Sequence, residues 1–145
     1  MRFGWKNYLY TVFVLLLCLL FGGGMYAMNC ISLKKTAGER IFYLNSSSSQ
    51  GLMKNKLCFR DLPRVRGESV CFMHQINAQD LALQIFKDYD AEVLFVERVG
   101  DVISYYGYAQ GLGEVLCLDG CIINLHVAVT NERCVVGTPI IFGGF

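Results

Sequence analysis

The chain has 145 residues, 54% of them hydrophobic, a formal net charge of +1 and a mean hydropathy of +0.39. No long Lys/Arg run is present, so the concentrated basic face that displaces counterions from a phosphate backbone is missing and nucleic acid is not an expected partner. Once an apolar leader is set aside, about one hundred residues remain, which suits one domain and excludes a multidomain enzyme.

The leader is Tyr8 to Met28, a stretch without a single charge. Each central Leu, Val or Phe favours membrane insertion by a few tenths of a kcal/mol, which outweighs the polar cost of Thr11. Its length matches roughly 30 Å of hydrocarbon at about 1.5 Å of rise per residue. Arg2 and Lys6 precede it, the layout of a signal peptide or a signal anchor. Met25 stands where a peptidase wants a small residue, so residues 1–28 are expected to remain as an uncleaved transmembrane anchor. A short basic leader of this kind usually translocates the chain downstream of it, which predicts a single-pass cell-membrane protein with an extracytoplasmic C-terminal domain.

Residues 29–39, with Lys34, Lys35 and Gly38, read as a linker, and 40–145 as a single α+β domain: a mostly antiparallel sheet with one packed helix. Arg40 to Asn45 is β-branched and aromatic enough for a first strand, stopped by the serine-rich loop Ser46 to Gly51. Pro63 restricts Leu62 to an extended shape, and a strand Ser69 to His74 comes next. Asn77 is placed to cap a helix in which Ala78, Leu81, Ala82, Ile85, Phe86 and Tyr89 recur at three- and four-residue spacing. Gly100-Asp101 suits a type II′ hairpin that pairs Val99 with Val102 and Val96 with Tyr105. Val115 to Leu118 is a short strand before the Asp119-Gly120 turn. The run Cys121 to Val129 alternates well enough for one strand, with Asn124 and His126 on a face free for water or a partner. Cys134 to Phe142 is a last strand, and Pro139 marks it as an edge.

Seven cysteines are an unusual number. Cys18 reads as a small filler in the apolar run. The other six, Cys30, Cys58, Cys71, Cys117, Cys121 and Cys134, would suit three disulfides in an oxidising space. No Cys-x-x-Cys pair suggests a redox motif or a zinc ribbon. Two geometries are open for Cys117 and Cys121. A two-residue Asp119-Gly120 turn pairs Leu118 with Cys121 and forbids a bridge, whereas a three-residue loop opposes the two thiols.

The stretch Glu68 to Phe145, through Asn124-Leu125-His126-Val127-Ala128-Val129 and Val136-Gly137-Thr138-Pro139-Ile140-Ile141-Phe142-Gly143, resembles the secreted YwmB-type proteins of spore-forming Gram-positive bacteria, called TATA-box-binding-protein-like for their fold. The resemblance implies a helix on a curved sheet and a cell-envelope location, with no reaction or catalytic residues to carry over. This chain is shorter, with one strand-helix-strand unit where the two-repeat fold has two.

Candidate chemistry is sparse. No glycine-rich phosphate loop, paired-carboxylate pattern or serine-histidine-aspartate arrangement is visible, so neither an enzyme nor a cofactor is expected. The best interaction surface combines the aromatic cluster Tyr105, Tyr106 and Tyr108 with Asn124 and His126. A contact with an unidentified protein partner at the envelope is the expected function. The alternative is a thiol- or metal-dependent enzyme using Cys117, Cys121 and His126.

Overall fold

The computed structural model describes residues 5–29, 31–45 and 52–142. They fall into two units, Met1–Ile31 and Ser32–Phe145. The serine-rich loop lies outside the described residues.

Helix α1 (Trp5–Asn29) makes up the first unit. Its stretch Asn7–Tyr26 is long and apolar enough to cross a membrane. Thr11, the polar residue in the run, donates its hydroxyl to the Asn7 carbonyl at 2.9 Å, so the backbone itself satisfies that group.

The second unit contains strands β1 (Glu39–Leu44), β2 (Leu52–Lys54) and β3 (Val65–Met73), helix α2 (Ala78–Asp88), and strands β4 (Ala91–Val99), β5 (Val102–Ala109), β6 (Leu116–Leu118), β7 (Cys121–Ile123), β8 (Leu125–Val129) and β9 (Arg133–Thr138). Seven strands form one antiparallel sheet in the order β2-β1-β3-β9-β8-β5-β4, and β6 pairs with β7 in a separate hairpin. The α+β architecture with one packed helix is therefore as the sequence pattern predicts.

Asn77 caps α2 through Oδ1, which accepts from the Gln79 amide at 2.9 Å and the Asp80 amide at 3.4 Å. The helix buries Leu81, Ala82, Ile85 and Phe86, and these join Val70, Tyr105, Leu125, Val127, Val129 and Val136 in one core. Close approach is essential there: a Cβ on Gly107 would lie 2.3 Å from Phe86 Cε1 and 2.0 Å from the Glu92 carbonyl oxygen. The β4–β5 hairpin turns at Gly100 (φ 61°), with Val99 opposite Val102 and Val96 opposite Tyr105 as expected.

Segment 32–36 is pinned to the sheet by a buried carboxylate. Glu68 on β3 is 1% exposed, and it accepts from the Ser32 and Leu33 amides and from Arg40 Nη1. The other terminal nitrogen of Arg40 donates to the Leu33 carbonyl at 2.9 Å and the Thr36 carbonyl at 3.3 Å. A charge removed from water needs such multiple donors, because desolvation would otherwise exceed the attraction of a single partner. Tyr89 adds a second tie, its hydroxyl 2.9 Å from Thr36 Oγ1.

Several local expectations are corrected. Leu62 is not extended; it lies in a 3-10 helix, Phe59–Arg64, that contains Pro63. The Asp61 carboxylate stabilises that turn by accepting from the Cys58 amide at 3.0 Å and from Lys54 Nζ at 2.8 Å, and the Lys54 bond, ahead of the backbone one, holds its pKa below the usual range. The run Cys121 to Val129 is not one strand. It breaks at Asn124, and its two halves join different sheets. Strand β9 ends at Thr138 and runs between β3 and β8, so it is interior; Pro139 lies just past the strand, after a cis Thr138–Pro139 peptide.

Among the described residues the cysteines do not form the expected disulfides. All six described ones, Cys18, Cys58, Cys71, Cys117, Cys121 and Cys134, are free, and Cys30 lies outside the described residues. Asp119 (φ 49°) and Gly120 (φ 79°) form a two-residue turn, which pairs Leu118 with Cys121 and turns Cys117 to the other side. Cys134 stands opposite Phe72, one position from Cys71, so the neighbouring thiols point to opposite faces of the sheet.

Candidate interaction surface

On the face of the sheet turned away from α2, three rings form a ladder across β4, β5 and β8. Phe95 stacks on Tyr106 at 4.5 Å between centroids, and Tyr106 stacks on His126 at 4.3 Å. Strand register explains the alignment, since Phe95 and His126 are the cross-strand partners of Tyr106 on either side. A bulge between Val93 and Phe95 shifts the parity of β4 and brings Phe95 to this face.

Residues 139–142 run back over part of the same face. Phe142 meets Tyr43 edge-on at 5.0 Å, and the Tyr43 hydroxyl lies 2.8 Å from Ser69 Oγ. The Ile141 amide donates to His126 Nδ1 at 3.3 Å. His126 is 5% exposed, and burial pulls its pKa down to about 4. Burial also raises the Tyr106 hydroxyl, with a further push from Glu97.

The structure therefore separates the residues that the sequence groups into one surface. Tyr105 faces α2 and belongs to the core. Asn124 is buried and spent on backbone: Oδ1 accepts from the Ala109 amide at 2.7 Å, and Nδ2 donates to the carbonyls of Ala109 at 2.8 Å and Leu112 at 3.2 Å. Tyr106 and His126 stack together but are covered. Tyr108, 40% exposed, is the one member of the set that meets solvent. The face expected to be free is closed by rings and by the returning chain.

The alternative thiol constellation is dispersed as well. Cys117 is exposed on β6 and Cys121 half-buried on β7, while His126 belongs to the larger sheet. Cys134 is a poor nucleophile, its thiol pushed up to about 12 by burial and by the neighbouring Cys71. Among the described residues no group of three His, Cys, Asp or Glu side chains could hold a metal ion. His74 borders an open cavity of about 620 Å³ with Met73, Gln75, Asn131 and Glu132. Both of its ring nitrogens face backbone carbonyls, Ile76 at 2.9 Å and Thr130 at 3.1 Å, so the ring ties the end of β3 to the turn before β9.

No family model, curated protein or solved structure matches this chain.

The β6–β7 hairpin, by contrast, does present itself to solvent. Register places Cys117 opposite Ile122, so the two share one side, and Val115 lies just before β6. Val115 is 55% and Ile122 58% exposed. The reverse side of the hairpin carries Ile123, which is fully buried. Composition hides this surface because Val115 and Ile122 look like ordinary strand interior. The detectable signal was the Asp119-Gly120 turn, which forces a tight two-stranded ribbon with one apolar side inward and one outward.

Proposed function

We propose that this protein is a non-catalytic, membrane-anchored domain that binds a protein partner at the cell envelope. The observation that carries the reading is the outward side of the β6–β7 hairpin, Cys117 and Ile122, with exposed Val115 just before it, on a domain whose core is already closed beneath α2. Exposed apolar side chains gathered on one ribbon favour burial by a partner. The apolar helix α1 supports the membrane anchor, and the leader Arg2 and Lys6 supports an extracytoplasmic domain. A net charge of +1 offers no attraction to nucleic acid. The resemblance of Glu68–Phe145 to YwmB-type proteins supports an envelope role linked to sporulation.

A photoreactive residue at Ile122 in intact cells tests the interaction, with the same residue at Gln79 on the solvent side of α2 as the control. One discrete protein adduct from Ile122 and none from Gln79 is expected, and equal adducts from both sites would reject the surface. Membrane-impermeant maleimide on Cys117 tests the orientation in the same cells. Labelling before permeabilisation is expected, whereas labelling only afterwards would turn the domain to the cytoplasmic side.

A further inference from the structure

The chain after β9, Pro139–Phe142, forms a strap across the sheet it has just left. Gly137 is where the strap lies flat: a Cβ there would fall 2.6 Å from Ile141 Cγ1 and 3.0 Å from the Ile141 nitrogen. Gly137 is the cross-strand partner of His126. That register brings the Ile141 amide to the imidazole, where it donates to Nδ1 at 3.3 Å. A neutral imidazole that accepts at Nδ1 carries its proton on Nε2. The Nε2 atom is buried and has no hydrogen-bond partner among the described residues. The ring thus holds the strap with one lone pair while leaving its only donor unused, an arrangement that burial alone makes costly.

We propose that the strap is a proton-operated cover: uptake of one proton at His126 Nδ1 removes the acceptor that holds Ile141 and releases Pro139–Phe142 from the sheet. The proton comes from hydronium: one of its O–H bonds breaks, one N–H bond forms, and water is left. The imidazolium then carries two N–H groups, one pointed at the Ile141 N–H, donor against donor, and one still without an acceptor. Among the described residues no carboxylate acts on its charge. The titratable neighbour on β5 is Tyr106, stacked on the ring, and the acidic groups nearby, Glu97 on β4 and Asp119 in the β6–β7 turn, act on the Tyr106 hydroxyl. Gly137 of β9 and Ile141 of the strap do not titrate, and among the described residues burial is what lowers the His126 pKa. Release returns the ring to water and uncovers Tyr43, Gly137 and the aromatic ladder.

Linkage sets the sign. A free imidazole titrates near 6.5 and the covered one near 4, so the closed state binds fewer protons. Closure is fully favoured above about pH 6.5, weakens by up to about tenfold per unit below it, and is lost as pH falls through about 4. The inference is independent of which partner the hairpin binds and of the side of the membrane on which the domain lies.

Amide exchange of the ¹⁵N-labelled full chain in bicelles tests it, with protection read at Ile141 and, as a core control, at Val127. Between pH 6.5 and 4, protection at Ile141 is expected to fall by roughly 80-fold while Val127 stays protected. His126→Asn retains an acceptor near the Nδ1 position without titrating, and its Ile141 profile is expected to be flat. Constant Ile141 protection in the native sequence, simultaneous loss at both amides, or the same fall in His126→Asn would each overturn the proposal. Should His126→Asn fail to fold, imidazole ¹⁵N spectra of the native chain decide: the Nε2–H tautomer with a midpoint near 4 supports the cover, and an Nδ1–H tautomer or a midpoint near 6.5 rejects it.

Discussion

The two faces of the seven-stranded sheet are both largely buried, yet they are closed by different means. On one, α2 lays Leu81, Ala82, Ile85 and Phe86 on Leu125, Val127 and Val129. On the other, a short strap rests on Gly137 and is fastened by one amide-to-imidazole bond and one edge-on ring contact. The first closure is redundant, because many apolar contacts must be lost together before water enters. The second depends on a few groups and so can open locally while the core persists. Equal burial therefore does not imply equal stability.

Substitutions on either side measure that difference. Phe86→Ala, which empties the centre of the helix-covered face, is expected to cost about 3–5 kcal/mol in urea unfolding followed by circular dichroism. Asn124→Ala strips the Ala109 amide of its buried partner and is expected to cost about 1–3 kcal/mol in the same assay. The smallest global effect belongs to Gly137→Ala, whose added methyl lifts Ile141. Its unfolding midpoint should stay near the native value while protection of the Ile141 amide is lost. A midpoint shift as large as that of Phe86→Ala would make the strap part of the cooperative core and abolish the contrast between the faces.

Legibility in the sequence tracked the range of the interactions. Helix α2 was readable from its cap and its three- and four-residue spacing, and the β4–β5 hairpin from Gly100-Asp101, because both signals act within a few residues. The break within Cys121 to Val129 is not legible, for the opposite reason. Its alternation is genuine, with Ile123, Leu125, Val127 and Val129 all fully buried, but Asn124 leaves the pattern to bind Ala109 and Leu112 more than ten residues away. Alternation alone places His126 on an open face, and no local pattern shows that residues 139–142 return to cover it. The Glu68–Arg40 pair was equally invisible, since a charged residue in a strand ordinarily marks a solvated side.

By itself, the order of residues determined an apolar N-terminal helix, one α+β domain, the cap of α2 and the positions of the tight turns. Each of these depends on hydrophobic periodicity or on backbone preferences confined to a few neighbours. Only the tertiary structure decided that β9 lies inside the sheet, that Glu68 is buried in a clamp of donors, and that His126 is covered. Those outcomes rest on pairing between segments distant in sequence, and pairing determines which polar groups lose water and which groups are left to replace it.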